Sequence, residues 1–124
     1  MSFRRPTLVI CGNGAGAIAL FHALASRPVM PLRVLVIGNG EPGEGVAYAT
    51  RNPGHLLNTQ AERMSIDPHQ PDHFVRWLEK RNLSTADWMG QFVPRLYYAQ
   101  YLRDAAQAAA SIQIWTLPSS TQRL

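Results

Sequence analysis

The stretch Thr7-Leu8-Val9-Ile10-Cys11-Gly12-Asn13-Gly14-Ala15-Gly16-Ala17 carries most of the architectural information in this chain. Its first five residues form an apolar run with β-branched members, the pattern of a strand buried on both faces in a parallel sheet. The next six fit the spacing G-x-G-x-x-G/A. Each small residue then has a physical task. Gly12 permits a tight exit from the strand, Gly14 lets backbone approach a pyrophosphate, and Ala17 lets a following helix pack closely on the strand. Free amides at a helix start carry partial positive charge and suit phosphate oxygens.

Outward from this turn, residues 15–27 are good helix formers, with Ile18, Phe21 and Leu24 spaced for one face and Pro28 as the stop. A second apolar run, Val34-Leu35-Val36-Ile37, follows Pro31. Strand, crossover helix and strand within about thirty residues predict a βαβ unit. The motif therefore stands where a dinucleotide-binding turn has to stand. Such a site usually adds an acid at the end of the second strand to accept hydrogen bonds from ribose hydroxyls. That place is Gly38 here. Asn39 is a neutral substitute next to it, and Glu41 and Glu44 follow in the loop.

Residues 38–70 show no lasting helical or alternating pattern and are punctuated by glycine and proline, which predicts a long irregular binding loop. Pro71 and Asp72 suit a first helical turn, and Phe74, Trp77 and Leu78 give that helix an apolar stripe up to Arg81. A longer helix is expected over residues 95–110, with Tyr98, Leu102, Ala105 and Ala109 on one face behind Pro94. Residues 111–116 alternate as a strand. Residues 117–124 are polar and expected to be an unstructured tail. The fold class is α/β: a Rossmann-like βαβ unit with a parallel sheet, a long loop and extra helices, one domain over residues 1–116. The order of elements matches the opening half of a doubly wound sheet.

Length and composition limit the alternatives. The chain has 124 residues, which suffices for one domain. Hydrophobic residues make up 46% and charged residues 16%, excluding a disordered or coiled-coil chain. The net charge is +4, almost all the cations being arginine, and among the arginines only Arg4 and Arg5 are adjacent. That scatter argues against a nucleic-acid stripe. One cysteine, Cys11, allows no internal disulfide and fits a reducing compartment, so a cytoplasmic location is expected. A basic start followed by apolar residues and Ala23-Leu24-Ala25 imitates an export signal, but Gly12, Gly14, Gly16 and His22 interrupt its core. No run is apolar enough to predict a membrane-spanning helix.

Further motifs, quoted in order, are Gly43-Glu44-Gly45-Val46-Ala47-Tyr48-Ala49-Thr50, His55-Leu56-Leu57-Asn58, Met64-Ser65, and Phe92-Val93-Pro94-Arg95 followed by Tyr101-Leu102. With the glycine turn, they make the chain resemble the FAD-NAD(P)-binding family of flavin oxidoreductases over residues 7–116. Its first motif is shared with glutathione-reductase-like flavoproteins. The resemblance implies FAD with its pyrophosphate at Gly12, Gly14 and Gly16, and a later NAD(P)-binding segment and substrate site. Two-nucleotide flavoproteins run to several hundred residues, so the chain reads as an N-terminal portion of such an enzyme. The alternative is a truncated, non-catalytic nucleotide-binding module or inert remnant.

The candidate cofactor-binding set is Gly12, Asn13, Gly14, Ala15, Gly16, Ala17, Asn39, Gly45, Asn58 and Arg95. Gly45, with Gly43, lets a loop lie against a flat ligand or serves ordinary turn chemistry. Asn58 fixes a ring edge or caps its loop. Arg95 pairs with a phosphate or is a surface arginine, and Tyr48 stacks on a ring or fills core. His69 and His73 lie four apart near Asp67 and Asp72, but Pro71 between them argues against a shared helical metal site. No spacing suggests a strained nucleophile turn. The partners expected are a dinucleotide and an unidentified small-molecule substrate.

Overall fold

Strands β1 (Thr7–Cys11) and β2 (Arg33–Ile37) run parallel, with Thr7 opposite Arg33 and Cys11 opposite Ile37. Helix α1 (Ala15–Ser26) is the crossover between them. The computed structural model describes residues 6–26, 32–38, 50–81, 83, 92–110 and 115–116. Helices α2 (His73–Lys80) and α3 (Arg95–Ala110) follow, then β3 (Trp115–Thr116), which pairs parallel with β2 to give the sheet order β1-β2-β3. The rest of the strand expected over residues 111–116, the tail 117–124, and Asn39 and Gly45 lie outside the described residues.

The register places Leu8, Ile10, Val34 and Val36 on one face, and the last three are buried. β1 departs from the expectation of a strand covered on both faces. Leu8 is 37% and Val9 45% exposed. Among the described strands β1 stands at the edge, paired only with β2, so its apolar residues reflect the chemistry of a parallel sheet without its full cover.

α1 packs chiefly on α3. Ile18, Phe21 and Ala25 from the one (i, i+3, i+7) and Tyr98, Leu102, Ala105 and Ala109 from the other (i, i+4, i+7, i+11) are buried, the spacing of an apolar helix face. Ala105, Ala106 and Ala109 have little side chain to keep the two backbones apart. α2 begins at His73, two residues later than expected, because Asp72 adopts φ −94° and ψ 11° outside the helix. Phe74 and Leu78 of α2 are fully buried.

The described part of the long loop, residues 50–70, holds only one short 3-10 turn, Ala61–Arg63. It is nevertheless tied down. Leu57 N–H donates to Val93 O at 2.8 Å and Arg95 N–H to His55 O at 2.8 Å, around an antiparallel bridge between Leu56 and Pro94. Two motifs far apart in sequence thus pair with each other. Tyr98 donates its hydroxyl to Met64 O at 2.9 Å, and Ile66 N–H donates to the Tyr101 hydroxyl at 3.1 Å.

Gly12 has φ +126°, which side-chain-bearing residues rarely adopt. Gly12→Ala is expected to cost about 1–3 kcal/mol of stability, read as a lower urea midpoint with an unchanged slope. No helix among the described residues is long and apolar enough to cross a membrane.

Candidate functional site

The glycine turn lies at the carboxyl ends of β1 and β2. Gly12 N–H donates to Ile37 O at 2.6 Å, so this amide ties the turn to β2, and the residue serves chain direction. The amides after it have a different fate. The first carbonyl-paired amide of α1 is Ile18 N–H, which donates to Gly14 O at 3.1 Å, so Gly14, Ala15, Gly16 and Ala17 precede the intrahelical ladder. A side chain built on Gly14 or Gly16 would meet nothing within 4 Å. The turn therefore faces open space. α1 also has no acidic residue in its first turn, so its own sequence leaves the positive helix end uncompensated. Amides that precede the helical ladder, beside glycines with open space around them, have the chemistry to receive an anion.

Asn13 is buried at 8% exposure, and its side chain lies against Gly38. A Cβ on Gly38 would come within 2.7 Å of Asn13 Cγ. The start of a side-chain path from position 38 is thus occupied by Asn13, from the turn that follows β1. Asn58 is exposed and accepts only a long hydrogen bond, 3.4 Å, from the Thr59 hydroxyl. Arg95 donates from Nε to Leu56 O at 2.9 Å, so it holds the paired motifs together. Neither is brought to the glycine turn by any described contact.

Sequence reasoning missed a second polar cluster, about 12 Å along α1 from the glycines. His22 Nε2 lies 3.0 Å from Asp67 Oδ2, which also accepts from Gln70 Nε2 at 2.9 Å, and Asp67 Oδ1 accepts His69 N–H at 2.8 Å. The His22 hydrogen bond, with the His69 amide and Gln70, holds the Asp67 carboxyl down at about 2 against the opposing effect of burial. Ser65 closes the same turn by donating to Gln70 O at 2.7 Å. His73 Nδ1 lies 2.6 Å from the Tyr101 hydroxyl. Burial, then the neighbouring His22, lowers the pKa of His73, and the neutral imidazole accepts a hydrogen bond from the Tyr101 hydroxyl. Burial pushes Tyr101 up to about 12.

Two hollows flank this cluster. One of about 290 Å³ is lined by residues including His22, Ser26, Asp67 and Gln70, and one of about 230 Å³ by residues including His73, Trp77 and Tyr101. Ser26, His22 and Asp67 come together but cannot act as a nucleophile triad. Ser26 Oγ at 3.5 Å and Asp67 Oδ2 both face His22 Nε2, whereas a triad uses opposite ring nitrogens, and the serine proton goes to His22 O at 2.7 Å. The cluster is a clasp between α1 and the loop. Its signal in sequence was that the only two polar residues of α1, His22 and Ser26, stand four apart on one face. His69 is exposed and His73 is turned to Tyr101; no group of metal ligands occurs among the described residues.

A parallel βαβ unit whose glycine turn opens onto unfilled space at a helix start defines a dinucleotide-binding fold of Rossmann type. The chain belongs to the FAD-NAD(P)-binding family, whose model matches residues 9–116. Its cofactor class is accordingly FAD and NAD(P). Among solved structures, an open crystal structure of cyclohexanone monooxygenase matches with a TM-score of 0.52 and 21% identity, a likeness that bears on the fold. The match covers 92% of this chain and 20% of that one. No match is found among curated proteins.

Proposed function

We propose that this chain forms the FAD-binding portion of a flavin- and NAD(P)-dependent oxidoreductase and that the FAD pyrophosphate sits on the glycine turn. The observation that carries this reading is the open space over Gly14 and Gly16 at the first turn of α1. Amides of Gly14, Ala15, Gly16 and Ala17 bind the phosphate oxygens, and Gly12 sets the path of the chain beneath them. Bound there, FAD supplies the electron-carrying ring. The loop that includes Asn39 and Gly45 covers the cofactor, while Asn58 and Arg95 act in holding that loop's distal part. A small-molecule substrate, an NAD(P) site built from other sequence and a cytoplasmic setting complete the reading; membership of the family and the single Cys11 support them.

The test is a titration of the purified chain with FAD, following flavin fluorescence and thermal stability, beside Gly14→Glu. Glutamate puts bulk and negative charge into the phosphate path. The expected result is FAD-dependent stabilisation of the native chain and at least a hundredfold weaker binding by the variant, about 3 kcal/mol. Equal responses from the two proteins, or none from either, would defeat the assignment.

A further inference from the structure

The hydrogen bond from Gly12 N–H to Ile37 O draws the chain leaving β1 against the end of β2. The next residue, Asn13, is thereby lodged over Gly38 and buried. A Cβ at position 38 would lie 2.7 Å from Asn13 Cγ and 2.9 Å from both its Cβ and its Oδ1. Rotating the Asn13 side chain would carry Cγ and Oδ1 away but leave its Cβ at 2.9 Å, so a side chain at position 38 fits only if the Asn13 backbone shifts. In this fold the end of β2 is where an acid receives the hydroxyls of the adenosine ribose.

We propose that Asn13 replaces that acid: its amide, occupying the start of the position-38 side-chain path, is the uncharged group that hydrogen-bonds the adenosine ribose of the cofactor. The proposal rests on the diphosphate reading of the glycine turn, which fixes the ribose next to it. An amide both donates and accepts, so it pairs with a hydroxyl of either polarity. A carboxylate only accepts, and it repels a ribose 2′-phosphate. Asn13 is thus a specificity residue, and the Asn13/Gly38 pair is a neutral form of a site that is elsewhere acidic.

The test titrates the 124-residue chain with FAD, ADP-ribose and 2′-phospho-ADP-ribose, using flavin fluorescence for the first and calorimetry for the others. Asn13→Ala is expected to weaken FAD binding about 3- to 10-fold, the loss of one or two hydrogen bonds. Gly38→Glu alone loses more, because its side chain meets Asn13. The double variant Asn13→Gly/Gly38→Glu, which removes the Cβ, Cγ and Oδ1 of residue 13 together, binds FAD more tightly than Gly38→Glu. It also prefers ADP-ribose over the 2′-phosphate at least tenfold more than the native chain does. This non-additivity is the signature of one shared position. Circular dichroism melts separate lost binding from lost fold, and if Gly38→Glu is unfolded, the ADP-ribose preference of the double variant decides. FAD binding by Asn13→Ala equal to the native chain, with Gly14→Glu still defective, would overturn this proposal alone, as would an unchanged ADP-ribose preference in the double variant. No binding of FAD by the native chain would overturn the diphosphate reading and this proposal with it.

Discussion

Asp67→Ala is expected to lower the stability of the chain by about 3 kcal/mol, measured by urea unfolding at neutral pH. Asp67 is 7% exposed, and its two oxygens receive the His22 imidazole, the Gln70 amide and the His69 backbone N–H. Truncation strands those donors in a part-buried setting, and such losses reach several kcal/mol where removal of a carboxylate leaves its partners unpaired. Against a total of about 5–15 kcal/mol for a domain, this is a large share. The acid limb gives a second reading of the same group. Its carboxyl titrates at about 2 in the folded chain against an ordinary 3.8, so the stabilisation is complete above the ordinary value and is lost as pH falls through 2. The gap between native chain and variant therefore narrows only in strong acid.

Phe74→Ala is expected to cost about 3–5 kcal/mol, the range for emptying a fully buried aromatic position. Its ring meets Tyr98 edge-on at 5.1 Å, Tyr101 at 4.7 Å and Trp77 in a stacked arrangement at 6.1 Å. Tyr98 and Tyr101 hold Met64 O and Ile66 N–H, so the damage passes into residues 50–70. Hydrogen exchange tests this: the Ile66 amide should exchange faster in the variant by the factor corresponding to the lost stability, while unchanged protection there would contradict the coupling.

The elements legible in the sequence were those written as local periodicity. β1, α1, β2 and α3 came from apolar runs and 3.6-residue spacing, and residues 95–110 form α3 over the expected span. The start of α2 was not legible to the residue, because Pro71 and Asp72 suit a helix as well as the turn they form. The glycine turn was legible as a pattern, but the contact at Gly38 was not. It depends on Asn13, 25 positions earlier, coming over the end of β2. His22 was likewise opaque: its partner Asp67 is 45 residues away, and no local pattern encodes that pairing. Arg95 was read either as a phosphate partner or as a surface arginine; the structure shows its Nε donating to Leu56 O, a contact 39 residues away that no local pattern encodes.

The cradle at the start of α1 is made of main-chain atoms, and every amino acid except proline brings the same N–H. No particular side chain has to be inherited for it to persist. Mutation is free to rewrite the surroundings as long as a few positions stay small and the helix stays packed. Distant members of such a lineage would then keep their grip on the ligand long after their sequences have ceased to look alike.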